Sequence, residues 1–135
     1  MNDKNPPLSP LLADEAYCYL TTTGRLTGKP HEIEIWFGLR GNTLYLLSGG
    51  MDRSDWVKNL RKTPSVTVRI GKHRFKARAR LVEDKEEEMT ARNVLADKYH
   101  ERRANGALSN WARTALVVGI DLHPSEMKKT LHRGD

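Results

Sequence analysis

One cysteine in 135 residues, Cys18, leaves no internal disulfide possible and suits a reducing compartment. No stretch approaches the roughly 18 apolar residues that a membrane-spanning helix needs, and the N-terminus lacks an apolar signal core. A cytoplasmic protein without membrane insertion is therefore expected. The five histidines, His31, His73, His100, His123 and His132, show no metal-ligand spacing with cysteine or carboxylates. No GxSxG elbow occurs, and neither P-loop spacing nor GxGxxG is found. Cys18 itself lies in an apolar run, where a small core residue fits better than a nucleophile. No internal repeat or low-complexity segment appears. What is missing is a self-sufficient catalytic set, which suits an enzyme whose hard chemistry belongs to a bound cofactor.

What is present bounds the answer further. The length implies one domain that buries about two-thirds of its unfolded surface. An apolar fraction of 38% against 30% charged leaves little material for the core, so a cofactor or a second subunit would help complete it. The net charge of +6 favours an anionic partner: nucleic acid, a membrane surface, or a phosphorylated or carboxylated small molecule.

The chain is organised around Ser48-Gly49-Gly50-Met51-Asp52-Arg53-Ser54-Asp55-Trp56-Val57-Lys58-Asn59-Leu60. The preceding run Thr43-Leu44-Tyr45-Leu46-Leu47 reads as a strand, Gly49-Gly50 as a turn without Cβ atoms, and the rest as a helix. Asp52 and Asp55 form a variant capping box, and Thr63-Pro64 stops the helix. Unpaired N–H groups at such a start can bind an anion. The two aspartates argue against that, since they already satisfy the helix start. Arg53 argues for it, because a cation at the first helical position opposes the dipole unless an anion compensates. A plain strand-to-helix connection is an equally good account of the spacing.

Upstream, residues 1–10 read as a flexible arm and residues 17–22 as the first strand. The connection Thr23-Gly24-Arg25-Leu26-Thr27-Gly28-Lys29-Pro30 carries two glycines, two cations and hydroxyls, with no acid. It is either a solvated hairpin loop or a source of donors and positive charge. In residues 31–37, Ile33, Ile35 and Phe37 share one face of a strand and Glu32, Glu34 and Trp36 the other. Residues 39–42 turn the chain into the strand ending at Ser48, so the first three strands form a meander. Its two distinctive loops then fall at the same end.

A fourth strand over 66–70 and a hairpin turn at Gly71-Lys72 lead to a fifth over 73–82. There Arg74, Lys76, Arg78 and Arg80 share a face that either contacts phosphates or is balanced by the acidic cluster after it. No aromatics interleave with these cations, which favours the second reading. A helix capped by Asp84 with Glu87 runs to about residue 104, with Ala91, Leu95 and Tyr99 facing inward, and Asn105-Gly106 ends it. One helical turn carries Trp111. Residues 114–122, nearly continuous apolar, read as a central strand covered on both faces. The globular domain spans 11–123, and 124–135 is a charged tail.

The order βββαββαβ with these loops is similar to the six-stranded antiparallel split β-barrel (mainly β, α+β) of the flavin and deazaflavin oxidoreductases. That superfamily includes FMN-binding proteins of the pyridoxamine 5'-phosphate oxidase type. Residues 21–30, then Leu44-Tyr45-Leu46-Leu47-Ser48-Gly49-Gly50, Trp56-Val57-Lys58-Asn59-Leu60 and Pro64-Ser65-Val66-Thr67-Val68, resemble the F420-dependent deazaflavin nitroreductase group. The resemblance implies a homodimeric oxidoreductase. It would transfer a hydride from reduced coenzyme F420 to a small unsaturated, quinone-like or nitro acceptor. FMN is the alternative cofactor, and a non-catalytic flavin carrier the alternative role. By motif, Arg25, Thr27, Gly28, Lys29 and Pro30 would meet the coenzyme's acidic tail. Ser48, Gly49, Gly50 and Arg53 would meet its phosphate or ribityl part, residues 31–35, with Glu32, Ile33 and Glu34 among them, would pass beside the ring, and Trp56 and Asn59 would brace the helix. No catalytic side chain and no metal ligand are expected. The tyrosines that line the substrate side in the nitroreductases are not found after Glu83, where Trp111 is the nearby aromatic.

Overall fold

The computed structural model describes residues 10–123; the N-terminal arm up to residue 9 and the tail from residue 124 lie outside the described residues. A short helix α1 (Pro10–Ala13) precedes β1 (Cys18–Thr23), β2 (Pro30–Ile35), β3 (Gly38–Arg40) and β4 (Thr43–Ser48). A 3-10 turn (Met51–Arg53) leads into α2 (Asp55–Lys62), followed by β5 (Ser65–Ile70) and β6 (His73–Leu81). Then come α3 (Lys85–Tyr99), α4 (Asn110–Thr114) and β7 (Leu116–Leu122). All strand pairs are antiparallel, in one sheet of order β2-β1-β5-β6-β7-β4-β3.

The sheet has seven strands where the sequence reading has six, and the difference lies at Trp36-Phe37. The second strand stops at Ile35 and the chain restarts pairing at Gly38, on the opposite edge of the sheet. The meander is therefore corrected: β4 pairs with β3 and β7 and never with β2. The reason is visible at Phe37. Its N–H donates to the Tyr99 hydroxyl (3.0 Å) and its carbonyl accepts from Lys98 Nζ (3.1 Å), so α3 takes the backbone groups a ladder would use. Gly38 lets α3 approach, since a Cβ there would sit 2.7 Å from Val94 Cγ1.

This crossing dictates the barrel. Six inter-strand gaps in a flat sheet would hold its edges about 29 Å apart. The chain from Ile35 to Gly38 reaches about 11 Å at most. The sheet must curl until β2 and β3 meet, and the split-barrel expectation holds. Inside lie Leu20, Phe37, Leu46, Val68, Phe75 and Ile120, all buried, with Cys18 among them and its thiol pushed up to about 12 chiefly by burial. A second core under α3 joins Tyr45, Leu47, Leu95, Ala115 and Val117, so β4 and β7 are covered on both faces.

Two helix signals read differently in three dimensions. Asp84 caps α3 as expected, its carboxylate accepting from Glu87 N–H (2.8 Å), but α3 ends at Tyr99 because His100 adopts φ 58. Asn105-Gly106 shapes a later turn instead. Asp52 and Asp55 do not form a capping box: Ser54 is the N-cap of α2, without a side-chain cap bond. Each aspartate has a cationic partner, Arg61 for Asp52 and Arg25 for Asp55.

Candidate functional site

The acid-free loop and the start of α2 do fall at the same end of the barrel, and they are bonded together. Gly24 N–H donates to the Lys29 carbonyl (2.7 Å) and Gly28, at φ 76, donates to the Gly24 carbonyl (2.8 Å), which folds the loop on itself. Gly24 has no room for a side chain, since a Cβ would lie 2.7 Å from His31 Nε2. Thr27 Oγ1 accepts from Lys29 N–H (3.2 Å). Arg25 then anchors the loop to α2. Its backbone N–H (3.1 Å) and Nη1 (2.9 Å) both donate to Asn59 Oδ1, and Nη2 reaches Asp55 Oδ1 at 3.1 Å. Asn59 Nδ2 donates to Thr22 Oγ1 (3.2 Å), and Lys62 Nζ donates to the Arg25 carbonyl (3.0 Å).

Asn59 is buried, and both ends of its amide are used. Removing it would leave buried polar groups unpaired, at about 1–3 kcal/mol for each such group. It is the joint between loop and helix, a more central position than the bracing role assigned from the motif.

This joint forms one wall of an open cleft of about 420 Å³. Of the residues singled out in the sequence, Arg25, Thr27, Glu32, Ile33, Trp56 and Asn59 line it together. Thr22, Leu26, His31 and Asp55 line it too. Thr22, Leu26 and Asp55 have no binding role in the sequence reading, whereas His31 belongs to the stretch 31–35 that the resemblance places beside the ring. An alternating strand does not reveal which end of it borders a cleft, and His31 shows its role only through its contact with Gly24.

The other candidates lie elsewhere. Gly28 and Pro30 border a smaller hollow of about 340 Å³, with Thr23, Ser65 and Lys76. Ser48 is buried, its hydroxyl donating to the Met51 carbonyl (2.8 Å) and meeting Ser54 Oγ at 3.0 Å, so it holds the turn. Gly49 and Gly50 are exposed, Gly49 facing Trp111 and Gly50 facing Ser54. Lys29 and Arg53 are exposed and make no ion pair among the described residues. Glu34 borders a second cleft of about 480 Å³ with Tyr17, Trp36 and Trp111. Trp36, which shares a strand face with Glu32 and Glu34 in the sequence reading, is half-buried and borders the same cleft as Glu34, lying flat on Tyr99 (4.1 Å between centroids, 3° between planes) and edge-on to Trp111 (5.6 Å, 84°).

Comparison with known proteins adds three findings. The family of F420H(2)-dependent quinone reductases has a model that matches residues 5–111. No curated protein matches the chain. Solved structures share its fold at low identity. A Bacteroides thetaiotaomicron protein provisionally assigned to 5-nitroimidazole antibiotic resistance is 18% identical, with TM-score 0.65 over 83% of this chain and 75% of that one. An F420-H2 dependent reductase is 17% identical, with TM-score 0.63 over 78% and 94%. A Listeria innocua protein provisionally assigned as a pyridoxamine 5'-phosphate oxidase is 21% identical, with TM-score 0.62 over 84% and 89%.

Proposed function

The chain belongs to the F420H2-dependent quinone reductase family, and on that premise we propose that it reduces a small quinone-like, nitro or other unsaturated acceptor in the cytoplasm. When bound, the reduced deazaflavin supplies the hydride. The chain's own residues bind the coenzyme, orient it and exclude water.

The observation that carries this reading is the cleft where the acid-free loop is pinned to α2. Its residues fit an amphipathic coenzyme: Ile33 and Trp56 are half-buried apolar surface for a ring, while Arg25 and Thr27 provide charge and hydroxyl for an acidic tail. Lys29 and Arg53, unpaired among the described residues, add cationic partners at the two loops. Asp55, whose side chain is 85% exposed, pairs with Arg25 and would share it with an incoming anionic group. Gly28 and Pro30 shape the loop, Gly49 and Gly50 leave close approach open, and Ser48 and Asn59 hold the two turns in place. Glu32 lines this cleft beside the ring position, whereas Glu34, the other carboxylate of β2, borders the neighbouring cleft with Trp36.

FMN remains the second cofactor reading, and it carries one phosphate where F420 carries a phosphate and glutamate carboxylates. Arg25→Ala with Lys29→Ala should weaken F420 binding about ten- to a hundredfold, because partly shielded charge-assisted bonds outweigh exposed pairs. FMN binding should change little. Parallel titrations with oxidised F420 and FMN, repeated at higher salt, make the comparison. Equal losses for both would mean that the loop grips the shared phosphate and would remove the case for the acidic tail. Acceptor-dependent oxidation of reduced F420 by a simple naphthoquinone separates an enzyme from a carrier, which would bind without turnover.

A further inference from the structure

The net positive charge of this chain comes from one stretch. Residues 56–82 contain nine Lys and Arg and no Asp or Glu, whereas the other residues hold fewer cations than acids. Within that stretch, the β5–β6 hairpin and its Gly71-Lys72 turn gather Arg69, Lys72, Arg74, Lys76 and Arg78. Arg69 stands directly opposite Arg74 in the ladder, and like charges so placed repel. None of the five makes an ion pair among the described residues. The acids that the sequence reading sets against this face serve other cations: Glu87 bonds Arg80 and Glu88 bonds Arg92. Asp121, opposite Arg78 in the ladder, is taken by Arg80 as well. Glu15, beside Gly71 at the turn, pairs with none of them. Arg74 and Arg78 line neither the main cleft nor the hollow beside Gly28.

The groups between these cations narrow the chemistry of a partner. Alternate strand residues stand about 6.6–6.8 Å apart, so Arg74, Lys76 and Arg78 form a row about 13 Å long. Across the ladder, Thr67 faces Lys76 and Thr21, and Ser65 faces Arg78. The hydroxyls of Thr21, Ser65 and Thr67 make no hydrogen bond among the described residues. Phosphate oxygens of a nucleic-acid backbone take donors of both kinds, Arg and Lys together with Ser and Thr. The face has no ring on which an unpaired base could stack, since Phe75 points into the core. It has no exposed large apolar side chain to enter a bilayer. Both strands are built into the sheet, β5 beside β1 and β6 beside β7, so the wall can lie against a backbone but cannot enter a groove to read bases. We propose that the outer face of β5–β6 docks the phosphate backbone of double-stranded nucleic acid, without regard to base sequence.

The test omits the coenzyme, so its outcome is separate from that of the cofactor reading. Fluorescence anisotropy of a short labelled DNA duplex is followed as the whole protein is added, at several salt concentrations. Two duplexes of unrelated sequence should bind equally, and three phosphate contacts should give log affinity a slope of about −2.7 against log salt. Arg74→Gln with Arg78→Gln should weaken binding at least about tenfold at low salt and flatten that slope by about two. Arg40→Gln with Arg113→Gln removes the same charge from β3 and α4 and should cost about twofold at most. All four positions are exposed, so the substitutions do not threaten folding. The proposal is overturned by no duplex binding at low salt, by equal losses in the two double variants, or by a preference for one duplex sequence. Tighter binding to a single strand of the same length, or binding to phosphatidylglycerol vesicles without binding to duplex, would overturn it too.

Discussion

Arg80 is set apart from the three cations that share its strand face. Its guanidinium bonds Glu87 through two nitrogens (2.9 and 2.7 Å) and Asp121 through Nε (2.7 Å), tying β6 to the start of α3 and to β7. Tyr45 adds its hydroxyl to Glu87 (2.6 Å). The Arg80 guanidinium first and the Tyr45 hydroxyl second hold the Glu87 carboxyl down at about 2, against an ordinary 4.5. Asp121 is lowered in the same direction, chiefly by Arg80. A carboxyl whose folded pKa lies below its unfolded value stabilises the fold fully above the unfolded pKa and ceases to as pH falls through the folded one. Stability should therefore fall between about pH 4.5 and 2. Glu87→Gln should lower the urea midpoint at neutral pH and flatten its decline across that window, leaving the smaller slope due to Asp121. Parallel pH profiles for the variant and the parent would refute the assignment.

At the scale of elements, the basic strand and the acid-free loop separate. Arg74, Lys76 and Arg78 are exposed on β6 and make no ion pair among the described residues, while the buried alternates Phe75, Ala77 and Ala79 face the barrel interior. Lys76 borders the hollow beside Gly28, whereas Arg74 and Arg78 line neither that hollow nor the main cleft. Arg74→Gln with Arg78→Gln should thus leave F420 affinity within about threefold of the parent, measured by titration. A loss beyond tenfold, about 1.4 kcal/mol, would move the acidic tail onto the strand. The same scale explains α3: Tyr99 and Lys98 supply hydrogen bonds to Phe37 that no strand supplies, so this helix permits the β2–β3 crossing.

At the scale of the molecule, the curled sheet leaves β2 paired only with β1, and its residues 30–32 and 34 are exposed. An edge strand presents unpaired backbone groups, and Glu32 and Glu34 blunt it against indiscriminate pairing without covering it. With so little apolar material to complete a core, we expect a second copy to cover this edge. Sedimentation should give about twice 15.4 kDa, and a micromolar monomer with full cofactor affinity would refute the dimer. No helix among the described residues is long and apolar enough to cross a membrane.

Local patterns determined much of this protein. Period-two alternation marked the faces of β5 and β6, continuous apolarity marked β7 as covered on both sides, and Asp84 with Glu87 marked the start of α3. Motifs spaced through the first half of the chain carried the family. These features depend on residues a few positions apart, so the sequence contains them directly. The tertiary structure alone decided what joins distant residues. Trp36-Phe37 breaks its strand because Tyr99 and Lys98, more than sixty positions away, take the backbone of Phe37. Asp55 is an ion-pair partner rather than part of a capping box because the fold brings Arg25 to it. The aromatic corner exists because the crossing from β2 to β3 turns Trp36 onto Tyr99 and Trp111. Side-chain partners of this kind are selected by the curl of the sheet, and no local period encodes that closure.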